Sequence, residues 1–285
     1  MTTLELNTAS TATRRILLGD NLALLPTLPR GCARLAYIDP PFNTGKAQAL
    51  ISAKAVSVAA DEGRSGFGGR RYRLDATGDE KRYDDAFDDY LGFLMPRVEA
   101  ALPCLTADGS LFVHLDYREA HYVKVALDQL LGRRSFMNEI IWAYDYGGRS
   151  KSRWSAKHDT ILWYALDPSR YVFDFEAMDR IPYMAPGLVG PEKAARGKTP
   201  TDVWWHTIVP PGGKERTGYP TQKPLGVLER FVKVHSEPGD VVLDFFAGSG
   251  TTGAAAARHG RGYVLIDQNP DAVAVMEARL GHPRD

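Results

Sequence analysis

Residues 240–259 constrain this chain more than any other stretch. Asp240-Val241-Val242-Leu243-Asp244 has the composition of a short buried strand, and the run of alanines at 254–257 is a helix interior. Between them lies Phe245-Phe246-Ala247-Gly248-Ser249-Gly250-Thr251-Thr252. A strand, a glycine turn and a helix N-terminus form a cradle for a nucleotide-like ligand, because free N–H groups and the positive end of the helix face the turn. Such a unit belongs to an α/β fold with a mostly parallel sheet and helices on both faces. Gly248, Gly250 and Gly253 match G-x-G-x-x-G, and Asp267 ends the next strand, where a carboxylate can hold ribose hydroxyls. A dinucleotide oxidoreductase meets that pattern. Asp244 argues against it, since an acid directly before the turn repels a pyrophosphate and suits a ligand carrying an α-ammonium group.

A second stretch stands near the other end of the chain. Leu35-Ala36-Tyr37-Ile38 reads as a buried strand, and Asp39 follows at its carboxyl end, where open α/β sheets hold ligands. Pro40 fixes its own φ and keeps Asp39 extended, and neither Pro40 nor Pro41 donates a hydrogen bond. The turn therefore offers an anionic acceptor, a carbonyl acceptor and the ring of Phe42. That set can grip a planar ring bearing an amino group: Asp39 and the Pro40 carbonyl accept the two N–H bonds while Phe42 stacks. An ordinary proline turn with Phe42 in the core fits the same residues.

The chain's 285 residues could make one α/β domain or two small ones and suffice for a sizeable core, and 44% hydrophobic and 25% charged content is that of a globular protein. Lys+Arg equals Asp+Glu at 35 each, so a polyanionic partner must be met by local clusters. Two clusters stand out. Arg70 and Arg71 lie in the glycine-rich segment 43–82, expected as a mobile basic insertion, and Arg149, Lys151 and Arg153 lie in a glycine–serine loop at a strand end. Strands are expected at 15–18, 110–115, 140–142 and 160–164, and helices at 84–106 and 118–131. Residues 166–220 are too polar and proline-broken to supply much core; 166–205 is a candidate target-recognition segment. Asp20 is either the cap of a short helix or a ligand to an adenine or ribose. Two cysteines exclude a disulfide scaffold and a cysteine-rich zinc site. Pro103-Cys104 has the form of a ring-carbon methylation nucleophile but lacks surroundings that would activate a thiolate, so a buried structural cysteine is expected. No apolar run is long enough to span a membrane and the N-terminus lacks a signal-peptide core, which points to the cytoplasm.

S-adenosyl-L-methionine carries both an α-ammonium group for Asp244 and a transferable methyl for an amine held by Asp39. With D-P-P-F at 39–42 ahead of F-x-G-x-G at 246–250, the chain resembles the DNA amino-methyltransferases of the beta arrangement. Asn43-Thr44-Gly45, Gly19-Asp20 and Thr221-Gln222-Lys223-Pro224-Leu225 extend the likeness over nearly the whole length, whereas 43–82 and 166–205 match only in being variable. The resemblance implies a Rossmann-like methyltransferase fold with circularly permuted motif order, as one domain over 1–285. It implies Asp39, Pro40, Pro41 and Phe42 as catalytic residues. It implies cofactor contacts from Asp20, Asp39, Gln222, Lys223, Asp244, Phe245, Ala247, Gly248, Ser249, Gly250, Thr251, Thr252 and Asp267. Asp244 and Lys223 fall at the methionine end, Asp267 at the ribose and Asp20 at the adenine, with Gly250 at the closest backbone approach.

Double-stranded DNA is the implied partner, in the cytoplasm at the bacterial nucleoid, and a homodimer and a cognate restriction endonuclease are left open. The target amine is inaccessible within a duplex, so its base must be flipped out. Neither a metal nor a covalent intermediate is required. Within the family D-P-P-[YF] favours the 6-amino group of adenine over the 4-amino group of cytosine. An RNA base or a protein glutamine amide poses the same chemical problem, and a non-catalytic DNA-binding relic is a third reading, against which intact Asp39, Gly248 and Gly250 stand.

Overall fold

The computed structural model describes residues 13–44, 48–58, 64–65, 71–83, 87–210 and 212–281, with backbone alone between 48 and 83. Its centre is an eight-stranded sheet in the order β1 (Arg14–Leu18), β11 (Gly262–Asp267), β10 (Val241–Asp244), β2 (Ala33–Ile38), β6 (Leu105–Leu115), β8 (His158–Ala165), β7 (Phe136–Ala143), β9 (Val203–Trp205). Every neighbouring pair is parallel except the two involving β8, so β8 alone runs against the rest.

This order decides where a ligand can sit. β2 and β10 are adjacent, with Leu35 opposite Val242 and Ala36 opposite Leu243. The chain leaves β2 towards β6 on one side, and leaves β10 through α6 (Thr251–Arg258) towards β11 on the other. Connections that part in opposite directions open a crevice at the carboxyl ends of the two strands. Asp39 and the glycine turn, far apart in sequence, therefore border one crevice.

Successive residues of β2 alternate between the two faces of the sheet. Ala36 and Ile38 join Leu94 and Val98 of α2 (Tyr90–Ala101) and Val123 and Leu127 of α3 (Ala120–Leu131) in one buried cluster. Leu35 and Tyr37 join Val227 and Phe231 of α5 (Leu225–His235), Ala255 and Ala256 of α6 and Met276 of α7 (Pro270–Leu280) in the other. Small side chains let α6 lie close: a Cβ on Gly253 would come within 2.5 Å of Leu265.

One expectation is corrected, and two segments carry structure that no local pattern showed. Among the described residues the helix expected over 84–106 is confined to α2, which starts where Asp89 accepts from Gly92 N at 2.8 Å; a 3-10 turn at Leu102–Cys104 follows and β6 begins at Leu105. Pro103 ends the helix early because it supplies no N–H. The segment 43–82, expected as a mobile basic insertion, carries β3 (Gln48–Val58), β4 (Arg64–Ser65) and β5 (Arg71–Tyr83) in a separate antiparallel sheet, its polar composition having hidden the pairing. The segment 166–205 contains the short helix α4 (Pro191–Arg196) and supplies β9, which closes the main sheet beside β7. Trp204 on that strand packs on Phe231 with ring centroids 5.0 Å apart. A three-residue strand is too short to leave a periodic signal.

Candidate active site

The crevice is a cavity of about 520 Å³, within the ~300–1,000 Å³ range of ligand sites. Its walls come from the turn after β2, the turn after β10, the end of β11 and a strap over 219–223, with Phe87, Phe93 and Arg97 closing one side.

Asp39 is held from one side only. Lys223 Nζ donates to its Oδ2 at 2.5 Å and lies 4.6 Å from the centroid of Phe42. Its Oδ1 is buried and has no partner among the described residues. The strap that delivers Lys223 is anchored on α6, where Thr251 Oγ1 donates to the Lys223 carbonyl at 3.1 Å. It is also strained, since Thr221 has φ 59°, a region that a β-branched residue adopts at a cost of about 1–3 kcal/mol. Asn43 tolerates φ 54° more readily and is pinned across the turn, accepting from Phe87 N and donating to Glu119, both at 2.8 Å.

The turn after β10 folds around two carboxylates. Asp244 accepts from Phe246 N at 3.0 Å and from Thr252 Oγ1 at 2.6 Å. Burial, with Asp39 and Asp267 nearby, raises its pKa to about 7. Asp267 accepts from Gly248 N at 2.8 Å and Asn269 N at 2.9 Å, and burial likewise pushes it above the usual carboxylate range. Asn21 Nδ2 donates to the Phe245 carbonyl at 2.6 Å, leaving its buried Oδ1 without a partner among the described residues. Buried acceptors without donors are rare, and a ligand bearing amino groups supplies what they lack.

Most expected site residues converge on this cavity: Asp39, Pro40, Pro41, Phe42, Gln222, Lys223, Asp244, Phe245, Ala247, Gly248, Ser249, Thr251, Thr252 and Asp267 all line it. Asp20 does not. It caps α1 (Asn21–Leu24) by accepting from Leu22 N at 3.1 Å and pairs with Arg97 at 3.3 Å, while the next residue, Asn21, faces the cavity. Gly250 does not line it either. Its φ is +70° and a Cβ there would lie 2.7 Å from Met276 Cγ, so glycine is required by backbone conformation and helix packing. Gln222 lines the cavity with its amide already engaged, accepting from Thr217 N at 2.8 Å and donating to the Glu215 carbonyl at 2.7 Å. Arg70 lies outside the described residues and Arg71 begins β5, while Arg149, Lys151 and Arg153 lie on the loop after β7, away from the cavity lining. Cys104 is 2% exposed and its thiol donates to the Leu25 carbonyl at 3.4 Å, a structural position.

One group of residues escaped the sequence reading. Tyr37 Oη and His114 Nδ1 are 2.5 Å apart, His114 Nε2 and Asp159 Oδ2 are 3.0 Å apart, and Tyr144 donates to Asp159 Oδ1 at 3.0 Å. Burial works against the Asp159 carboxylate, yet the His114 contact holds its pKa below the ordinary value. Tyr37 lines the cavity two residues before Asp39 on the same strand face, and the His114 ring lies 5.8 Å from Phe42. The chain thus braces the floor under Asp39 and Phe42. The period-two alternation of β2 was the available signal; its partners lie on β6 and β8, whose register no local pattern shows.

A family model described as DNA methylase, of the N6/N4 methyltransferases, matches residues 33–278. The chain belongs to the N6/N4 DNA methylase family. Among relatives of this DNA methylase, the type II methyltransferase M.ScaI of Streptomyces caespitosus is 28% identical over 275 residues, covering 92% of this chain and 79% of its own length. DNA adenine methyltransferase YhdJ of Escherichia coli (strain K12) is 27% identical over 281 residues, covering 94% and 82%. Among solved structures, the cytosine-N4-specific PvuII DNA methyltransferase superposes with TM-score 0.62 at 17% identity over 95% of this chain and 87% of that one. The M1.HpyAVI–SAM complex superposes with TM-score 0.59 at 19% identity over 94% and 99%. The DNA methylase thus shares the Rossmann-like fold of these enzymes, and no helix among its described residues is long and apolar enough to cross a membrane.

Proposed function

We propose that this DNA methylase transfers a methyl group to the 6-amino group of an adenine flipped out of double-stranded DNA at a specific sequence. The observation that carries the reading is the buried Oδ1 of Asp39, without a partner among the described residues, in one cavity with Asp244, Asp267 and the glycine turn. The cofactor is S-adenosyl-L-methionine, which supplies an electrophilic sulfonium methyl when bound. Asp244 receives its α-ammonium group, Asp267 its ribose hydroxyls, and Gly248 leaves room for its backbone approach.

The chain's own work is done on the amine. An exocyclic amine is a poor nucleophile because its lone pair is delocalised into the ring. Asp39 Oδ1 and the Pro40 carbonyl accept its two N–H bonds, which favours a pyramidal nitrogen and frees the lone pair. These bonds strengthen as the nitrogen becomes cationic, so they stabilise the transition state more than the bound substrate. Phe42 stacks on the flipped base, and Lys223 fixes the carboxylate through Oδ2 so that Oδ1 keeps its direction.

Cofactor affinity should then depend on pH. Asp244, with a pKa of about 7, is mostly protonated below neutrality in the free protein, and an α-ammonium ligand selects the ionised form. Binding therefore releases a proton on the acid side, and affinity weakens as pH falls from about 7, by at most about ten-fold per unit. Calorimetry between pH 5.5 and 8 reads this directly, and Asp244→Asn should bind weakly with a flat profile. A sloping profile in that variant would assign the titration to another group.

Arg149, Lys151 and Arg153 meet phosphates on this reading, the exposed Arg149–Asp145 pair being weak enough to exchange. Neutralising Lys151 and Arg153 together should lower the salt dependence of DNA binding by about two units of log–log slope. An unchanged slope would leave them as solvated loop cations. Residues 166–205 are the candidate for sequence recognition.

Adenine is favoured over cytosine by the D-P-P-F form of the turn and by the relative YhdJ, named as an adenine methyltransferase, although the PvuII enzyme on the same fold is cytosine-specific. DNA from a methylation-free host expressing the protein, digested to nucleosides and measured by mass spectrometry, tests it. N6-methyladenine is the expected product, and N4-methylcytosine alone would reverse the assignment.

A further inference from the structure

The loop between β7 and β8, residues 144–157, leaves Trp154 98% exposed. Single exposed apolar residues are ordinary, but three features set this one apart. First, the loop is held by its own hydrogen bonds: Ser150 N donates to Ser155 Oγ at 2.7 Å, and Ser152 N and Arg153 N donate to Ser150 Oγ at 3.2 and 3.3 Å. Its base is closed where Tyr144 N donates to the Lys157 carbonyl at 2.9 Å. The indole therefore stands on a shaped turn. Second, Lys151 and Arg153 precede it within three residues and Arg149, paired with Asp145, stands on the same loop, so the indole shares its loop with positive charge. Third, the loop rises at the carboxyl end of β7, the edge of the sheet that holds Asp39. Tyr144 at its base reaches Asp159, which contacts His114, whose ring lies beside Phe42.

We propose that Trp154 enters the DNA stack at the position the target base vacates, stacking on the bases left behind while the neighbouring cations hold the flanking phosphates. The inference rests on the DNA reading above and adds the group that keeps the duplex open. Flipping leaves a gap in the stack whose closure competes with catalysis. An aromatic side chain fills such a gap without regard to sequence, because every base presents a π-face. Catalysis itself stays with Asp39 and Phe42; Trp154 acts on the supply of the flipped base.

The test uses the full chain and two duplexes carrying the target sequence read by methylation-aware sequencing of host DNA. One duplex is fully paired; in the other the target base faces an abasic site and is already unpaired. Trp154→Ala should slow single-turnover methylation of the paired duplex by about ten-fold or more, the scale of one lost base–aromatic stack. The same variant should run within about three-fold of the parent on the abasic duplex, where no base pair has to be broken. Trp154→Phe should recover most of the loss on paired DNA, and calorimetric cofactor affinity should be unchanged in both variants. An equal loss on both duplexes, or none on either, overturns the proposal. So does the same pattern in Trp205→Ala but not in Trp154→Ala, Trp205 being the other exposed indole at this edge, level with Ala143 and 74% exposed. If the parent protein methylates neither duplex nor host DNA, it is the DNA reading that fails.

Discussion

Replacing Asp39 with alanine is expected to slow methyl transfer by about 10²–10³-fold, the cost typical of removing one group aimed at charge that develops in a transition state. The buried Oδ1 is the acceptor that a reacting amine would meet, and alanine leaves the nitrogen planar with its lone pair in the ring. The structure adds a second consequence. Lys223 Nζ sits 2.5 Å from Oδ2 in a largely buried pair, with side-chain exposures of 9% for the lysine and 17% for the aspartate. Removing the anion strands a buried ammonium, a change that costs about 3–5 kcal/mol in fully buried pairs and less in this partly wet one. Asp39→Asn is the cleaner companion, because it keeps the shape and an oxygen for Lys223 while losing the anionic acceptor. Single-turnover assays should show both variants slow, with calorimetric cofactor affinity within a few-fold of the parent in Asp39→Asn. Near-normal turnover in either would sink the role given to this carboxylate.

Gly250→Val is expected to destabilise the protein before any ligand is added, by about 2–5 kcal/mol. Some 1–2 kcal/mol comes from forcing an L-residue to φ +70°, and about 1–3 kcal/mol from pressing a side chain into buried Met276. The turn also carries the Gly248 N–H bond to Asp267 and the start of α6, so the cofactor-induced rise in melting temperature should vanish with it. This differs from the expectation that a side chain here fills ligand space, under which the ligand-free protein would melt normally. Gly248→Ala is the contrast. Its Cβ would meet Tyr219 at 3.2 Å inside the cavity, at φ +50°, so a smaller loss of stability should accompany weakened cofactor binding. Thermal scans of both variants with and without cofactor separate the two effects. A Gly250→Val protein that melts like the parent would refute the packing account.

The two stretches that organise the molecule were legible because each is local. A buried strand, a two-proline turn and an aromatic carry their geometry in consecutive residues, and so does a strand followed by a glycine turn and a helix. Asp39, Phe42, Asp244 and Asp267 therefore line the cavity as their positions in sequence implied. Asp20 and Gly250 stand off the cavity lining for a shared reason: a cap and a left-handed turn are backbone duties that the same residue types perform without any ligand. The Lys223–Asp39 pair and the chain from Tyr37 through His114 and Asp159 to Tyr144 were invisible, because each joins elements whose adjacency the sheet order alone creates.

By itself, then, the sequence determined the α/β class, the late glycine turn, the early acidic turn and the absence of any bulk charge to attract DNA. Those follow from composition and from patterns no longer than a supersecondary unit. Only the tertiary structure decided that β2 and β10 are neighbours, that one oxygen of Asp39 is held by Lys223 while the other has no partner among the described residues, and that segment 166–205 gives the sheet its last strand. The physical reason is that strand order and register are settled by long-range burial on both faces of the sheet, where Ala36 and Ile38 turn to one core and Leu35 and Tyr37 to the other.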